Sequence, residues 1–464
     1  MKKTIWASYL AGLERQTPGE SYRAIFGYFI PECITALLTY SLITLFDARC
    51  IAQIGSPAMY ATMSITNTLL HCITKIAEGI SVGTMVICGV AHGRGDTREI
   101  GQSLGSALLV TLMTGGCIAL ILGCFPFTVY GWLGTSDDVT LSGVPYLQLR
   151  AISVFLMFTF CAISGFLRGI KKNSVPTRCH ILGTSIFIIS DYALVLGKFG
   201  CPRLCLIGSA MASLLQYSVM IIYAGYYVVS EPLVRNYIAA ISLKSWATIQ
   251  RIITLSWPVM CDKAVLAIAK LILAKAIAPM GAIALGSFGI IRDIEMLIFV
   301  PAIAFAQVVT FLVSNEIGIG DIEGVKYTIK KVLFLASSSV AVILCICLWQ
   351  INPIIHWFDV HHHFSTLAIP AFKIVSLLVL CDVAQVILAG ALRGLAQVRT
   401  VLRIRTLTLV FFCAPVAYIA SNIVFYSNFV KFITIYSSFY VGNGIMAIWY
   451  IYLLRTDRWK HLPW

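Results

Sequence analysis

Acid is scarce in this chain. Only 20 of its 464 residues are Asp or Glu, against 34 Lys and Arg, and charged residues together make up 12%. An ordinary soluble domain carries about 25%, so the composition excludes one. No "GKS" or "GKT" phosphate loop is present, which removes the usual support for nucleotide hydrolysis. The 15 cysteines are scattered mostly through apolar runs without metal spacing and read as small packing residues. No interspan loop is long enough for a soluble catalytic domain, and no clustered nucleophile or metal set marks an enzyme. The opening "MKKTIWASYLAGLERQTPGE" lacks the uninterrupted apolar core and cleavage site of a secretory signal, and is expected to be a short surface helix.

What the chain has is oil. Hydrophobic residues make up 59% and the mean hydropathy is +0.88. A membrane-crossing helix needs roughly 20 mostly apolar residues. Twelve such runs are expected, at 24–46, 58–90, 102–125, 144–167, 177–197, 204–229, 250–278, 282–313, 328–350, 367–391, 405–425 and 431–454. Runs this long exclude a β-barrel, because lipid tolerates only helices or closed barrels and barrel strands are short. The fold class expected is an all-α integral membrane protein.

An even number of spans puts both ends on one side. That side holds 23 of the 34 Lys and Arg, among them Arg94, Arg168, Lys331, Arg393 and Arg405. Six, including Arg150, lie near the opposite ends, and five lie within spans. Basic residues mark the cytoplasmic face, so both termini are expected there. The net charge of +14 is then a topology signal and gives no reason to invoke nucleic acid. Cys201 and Cys205 share an outer loop and would pair only under oxidation; free thiols are the favoured reading. "HHH" at 361–363, near His356, would be a metal site or, by the plainer reading, a solvated loop tip.

An internal repeat organises the whole. "GRGDTREI" after the second span matches "GIGDIEGV" after the eighth, Asp96 falling on Asp321. "FLRGIKKNSVPTR" after the fourth matches "ALRGLAQVRTVLR" after the tenth, and Arg168 falls on Arg393 at the same separation. "QIGSPAM" aligns with "PMGAIAL", Gly55 on Gly281, with the register moved by a single position. The reading is a six-span unit duplicated, with lobes at 1–235 and 236–464 forming two six-helix bundles. Parallel repeats of this kind are a transporter's architecture.

Ionisable residues inside spans stand out against this background. A carboxylate mid-helix costs about 2.5 to 3.5 kcal/mol on insertion scales and persists where it meets a polar cavity or a partner. Asp382 is such a residue, and would bind a proton or, when ionised, a sodium ion. The bland alternative is a pair with an internal lysine. In "IIRDIEMLIF", Arg292 and Glu295 share a helical face and are read as a neutral pair, or else Asp293 or Glu295 completes an ion site with Asp382. Lys75 lies a turn from Glu78. Lys263 and Lys270 share a face of the seventh span, and Lys275 lies nearer its end. They are read as snorkelling or neutralising acids, whereas lining a cleft would imply an anionic substrate.

"LFDARCIAQIG", "GRGD", "FLRG", "DYALVLGKFGCPRLCLIGSAMAS", "GIGD" and "CDVAQVILAGALRG", in this order over nearly the whole chain, resemble the multidrug and toxic compound extrusion (MATE) transporters, and among them the NorM-like branch. The resemblance implies a monomeric, non-enzymatic inner-membrane antiporter. Such a protein exports small organic, often cationic, compounds in exchange for sodium or protons and takes no bound cofactor. It implies that Asp382 with Gln385 belongs to a cation-coupling site of the C-terminal lobe. Asp47 matches the aspartate ending span one, whose plainer reading is a pair with Arg49. Asp191 matches a second acid of the N-terminal lobe. The chain departs from its relatives at Phe187, where many carry asparagine, and at Leu266, where a glutamate is frequent; Asp262, one turn earlier, would substitute. The alternative kept open is a carrier or flippase of an anionic metabolite or lipid-linked substrate in the same superfamily.

Overall fold

The computed structural model describes residues 18–239, 246–358, 364–423 and 427–456. The expected surface helix at the start lies largely, and the histidine run at 361–363 wholly, outside the described residues. Among those described there is no strand, and each of the twelve expected runs is a long helix.

Helix α1 runs through Tyr22–Leu37, a π-helical turn at Leu38–Leu42 and Ile43–Ala52. Then follow α2 (Pro57–Arg94), α3 (Thr97–Cys124), α4 (Asp137–Gly169), α5 (Ser174–Leu196) and α6 (Leu206–Ser230). The second half repeats the series with α7 (Trp246–Ile277), α8 (Ala282–Ile319) and α9 (Ile322–Trp349). Helix α10 joins Ser365–Val375 to Val379–Gly394 through one 3-10 turn. Helix α11 joins Val398–Thr408 to Ala414–Asn422 through a second π-helical turn, and α12 is Asn428–Arg455. Among the described residues, nine of these helices are long and apolar enough to cross a membrane. Helix α7 carries Arg251, Asp262, Lys263, Lys270 and Lys275, and α12 carries a polar face. The protein is a twelve-helix, multi-pass membrane protein.

The repeat landmarks are the parts that turn and pack the chain. Gly95 takes a left-handed φ of 73° to close α2, and Asp96 then caps α3 by accepting from the Glu99 amide at 2.9 Å. Gly320 and Asp321 do the same between α8 and α9, with φ 84° and 2.8 Å to the Gly324 amide. Each cap satisfies amides that a helix start leaves without partners. A Cβ added at Gly165 of α4 would stand 2.4 Å from the Ser81 carbonyl of α2; at Gly390 of α10 it would stand 2.7 Å from that of Ala306 of α8. Gly169 and Gly394 repeat the relation one turn on. These glycines at four-residue spacing let backbones approach closely, as in lipid-borne helix pairs. The landmark arginine that accompanies them is paired in each half with an acid of that half's first helix. Arg168 Nε donates to Glu32 at 2.9 Å, and Arg393 donates to Asp262 at 2.6 Å.

Two compact units emerge, and their limits fall inside helices. One unit is Ile30–Met260; the other joins residues up to Phe29 to those from Cys261 onward. In the latter, Phe29 stacks on Phe305 at 4.0 Å and Tyr28 meets Phe311 edge-on at 5.5 Å. Lys331, counted above among cytoplasmic surface charges, is 2% exposed and donates to the carbonyls of Pro18 and Glu20. It ties the chain entering α1 to α9. In the former unit, Gly79 and Gly83 of α2 admit Met260 and Ser256 of α7 at close range. None of the fifteen cysteines forms a disulfide, Cys201 and Cys205 included.

Candidate functional site

Each unit holds a cluster of acids inside its apolar packing. In the unit containing the second repeat, Asp382 sits half-buried in the first turn of the second segment of α10. The Asn443 amide of α12 donates to its Oδ1 at 2.9 Å. Glu295 of α8 is 7% exposed; one of its oxygens accepts from the Tyr436 hydroxyl and the other is buried without a hydrogen-bond partner among the described residues. Tyr436, Tyr440 and Asn443 fall at positions i, i+4 and i+7 of α12 and so share one helical face. The Tyr436 ring is held by Phe288 and Phe432, at 5.1 and 5.9 Å. Lys270 of α7 acts on the charges of both Asp382 and Glu295, which also act on one another. The structure therefore brings Asp382, Glu295 and Lys270 into one site.

Asp262 is placed differently. It is 2% exposed, one oxygen accepting from Arg393 at 2.6 Å and the other from the Arg405 Nε. Both oxygens are taken by guanidinium groups, the pairing that holds a carboxylate most firmly. Gln385 is fully buried, and neither polar atom of its side chain has a hydrogen-bond partner among the described residues. Lys263, half-buried, adjoins Asp262 along α7.

The expected Arg292–Glu295 pair does not form. Arg292 instead reaches its neighbour Asp293 at 2.9 Å, with both side chains about half exposed. Helical spacing allowed the first partner, but the buried Tyr436 hydroxyl reaches Glu295 from across the unit, and Asp293 offers Arg292 a partner on the outer surface. Asp293 is thus held outside the Asp382 cluster. Lys75 donates to Glu78 at 2.8 Å, a pair within one helix.

In the unit containing the first repeat, Asp47 and Asp191 are 5% and 0% exposed and act on one another's charge. Ser209 donates to Asp47 Oδ1 at 2.8 Å, and the Cys50 thiol lies beside Asp191. Arg150 of α4 stands among them, donating to Ser213 and, at 3.3 Å, to the Asn67 carbonyl, with its guanidinium 5.8 Å from the centre of the Tyr146 ring. Asp47 faces this network and is no helix-end partner of Arg49.

Reading the sequence missed Arg150 because it was counted as an outer-end residue, and missed Arg405 because it was counted as a cytoplasmic one. The i, i+4, i+7 polar face of α12 was the available signal for Tyr436, Tyr440 and Asn443. Among the described residues no group of three or more His, Cys, Asp or Glu is arranged to hold a metal ion.

Comparison with known proteins shows the family and the fold. The family model described as MatE matches residues 33–193 and 258–419, most of the chain, in two segments whose starts are set apart just as Asp96 and Asp321 are. The multidrug resistance protein YoeA of Bacillus subtilis, described as probable, is 22% identical over 282 residues, which is 59% of this chain and 60% of that protein. A NorM of Rhizobium meliloti, also described as a probable multidrug resistance protein, is 23% identical over 319 residues, 67% of this chain and 66% of that one. The chain therefore spans about three fifths to two thirds of these relatives. A solved MATE transporter in an outward-facing conformation superposes with a TM-score of 0.83 at 17% identity, covering 99% of this chain and 100% of that one. A Pyrococcus furiosus transporter of the MOP superfamily, described as having a binding pocket of reversed polarity, gives 0.83 and 17% with full coverage of both.

Proposed function

The chain belongs to the MatE family of multidrug efflux transporters, and from that premise we propose that it is a cation-coupled antiporter that exports small organic compounds by alternating access. The observation that carries the reading is the placement of Glu295 and Asp382 together, inside an apolar helical unit, held by Tyr436 and Asn443. Carboxylates at such depth are retained where they bind or release charge. Asp47 and Asp191 give the other unit a comparable pair.

The mechanism is competition. An inward-moving proton or sodium ion occupies the carboxylates, displaces the exported compound toward the outside and resets the transporter. One charge falling through 100 mV supplies about 2.3 kcal/mol, enough for a substrate gradient of roughly 50-fold per ion. The protein works as a monomer in the inner membrane, among lipids, with both termini cytoplasmic.

The test is ion-driven efflux of a fluorescent organic compound from proteoliposomes. Wild-type protein is expected to respond to an imposed sodium or proton gradient. Asp382→Asn should lose at least about 10-fold in initial rate, while its thermal midpoint stays within about 3 °C of wild type. A variant that pumps at full rate would remove Asp382 from the coupling site.

A further inference from the structure

Two stretches of chain are fastened to the half to which they do not belong. Residues 18–20, at the entry to α1, lie on α9, and the leading turns of α7 lie on α2 and α3. Each lands on the same turn of the other half's third helix. A Cβ added to Gly19 would stand 2.8 Å from the Gly324 carbonyl and 2.6 Å from the Thr328 hydroxyl of α9. Arg251 of α7 meets Glu99 of α3 at 2.9 Å. In the register that lays Asp96 on Asp321, Glu99 falls on Gly324.

The first contact is a built strap. Gly19 has a φ of 83°, which glycine takes without strain, and its missing side chain lets the backbone lie against α9. A lysine at the end of a span ordinarily reaches for water. Buried Lys331 instead donates to the Pro18 and Glu20 carbonyls at 3.2 and 3.0 Å, with its ammonium 5.9 Å from the centre of the Tyr22 ring. Glu316 of α8, also buried, accepts from the Thr328 hydroxyl and fixes it beneath the strap. The duplication does not account for this lysine, which falls on Ser106. The second contact is looser, the Arg251 and Glu99 side chains being 46% and 21% exposed. Both are fasteners that water can replace. When the strap lifts, the ammonium and the two carbonyls exchange one set of hydrogen bonds for another, and an exposed ion pair parts at little cost. Deeper along the same stretches the contacts are uncharged packing, Phe29 on Phe305 and Ser256 against Gly83.

Resting on the exporter reading above, we propose that the strap under Lys331 and the Arg251–Glu99 pair are the fasteners of a cytoplasmic closure, which part to admit the exported compound and refasten before its release outside. They sit at the end that the charge bias makes cytoplasmic, and each ties the first half of the chain to the second. Lys331 is a positioning residue here: it touches neither ion nor substrate and acts by holding the entry to α1 in place.

In a background with the 15 native cysteines replaced, Glu20→Cys and Lys331→Cys stand a lysine side chain apart, within reach of a short bifunctional thiosulfonate. Bridging them is expected to cut efflux from proteoliposomes about 10-fold or more, since a closure held shut gates every cycle, and a reductant should restore the rate. The single-cysteine variants should be unaffected by the reagent. With the native cysteines kept, Thr328→Cys, at a position 0% exposed, provides a second reading. It should react with N-ethylmaleimide at least about 5-fold faster during turnover than at rest, measured on its own peptide by mass spectrometry. A bridged protein that pumps at the unbridged rate, or a Thr328→Cys thiol equally shielded in both conditions, shows that the strap stays down. Either result overturns the proposal and leaves the exporter reading standing. Should the double variant pump poorly before bridging, the labelling decides. A wild-type protein that moves no compound under either ion gradient removes the exporter reading as well.

Discussion

Asp262 and Asp382 differ in what reaches their oxygens. Two guanidinium groups close both oxygens of Asp262, while one amide holds a single oxygen of Asp382. Removing one partner of a buried pair costs about 3 to 5 kcal/mol because the remaining charge is left uncompensated. Asp262→Asn is therefore expected to lower the thermal midpoint markedly and reduce yield, whereas Asp382→Asn should fold normally and fail in transport. Melting curves set beside efflux rates check this, and the opposite assignment would sink it. Which acids are intramembrane was legible in the sequence, since twelve apolar runs leave few places for them. Which acid is an anchor was not. The partners of Asp262 lie 131 and 143 residues away, on a helix end and a segment read only for its basic charge. Arg150 was obscured in the same way, because counting charges by side assigns no partner.

At the scale of the helix, the repeat is a repeat of contacts. Gly165 against Ser81 and Gly390 against Ala306 are backbone approaches that no side chain can yield to. Gly390→Val should destabilise by at least about 1 to 3 kcal/mol, the usual cost of overpacking, and Gly165→Val by a similar amount, both read as a lowered thermal midpoint. Equal stability of either variant with wild type would show that α10 or α4 can shift, contrary to the close packing described. Asp321→Ala should cost about 1 kcal/mol through the lost cap. The constant spacing of the two halves was plain in the strings "GRGD" and "GIGD". That their glycine and aspartate serve as a left-handed helix end followed by a cap needed the dihedrals. The packing role of the glycines needed the partner helix, which is remote in the chain. The π-helical turns in α1 and α11 left no sequence mark that periodicity could register.

For the whole molecule, the charge bias predicts sidedness that can be measured. On the proposal that both termini are cytoplasmic, the loop between α5 and α6 would face out, so an impermeant thiol reagent should label Cys201 and Cys205 on intact cells when the other thirteen cysteines are replaced. Labelling only after permeabilisation would invert the topology. Twelve helices and their duplication could be read from hydropathy and strings alone. The limits of the compact units could not, because the chain crosses from one to the other within α1 and again within α7, close to Pro31 and Pro258. Each repeat thus lends the leading stretch of its first helix to the unit built by its sibling, the arrangement of a domain-swapped dimer written into one polypeptide. A chain severed between residues 239 and 246 should accordingly yield fragments that accumulate only when made together, each supplying the helical stretch the other lacks.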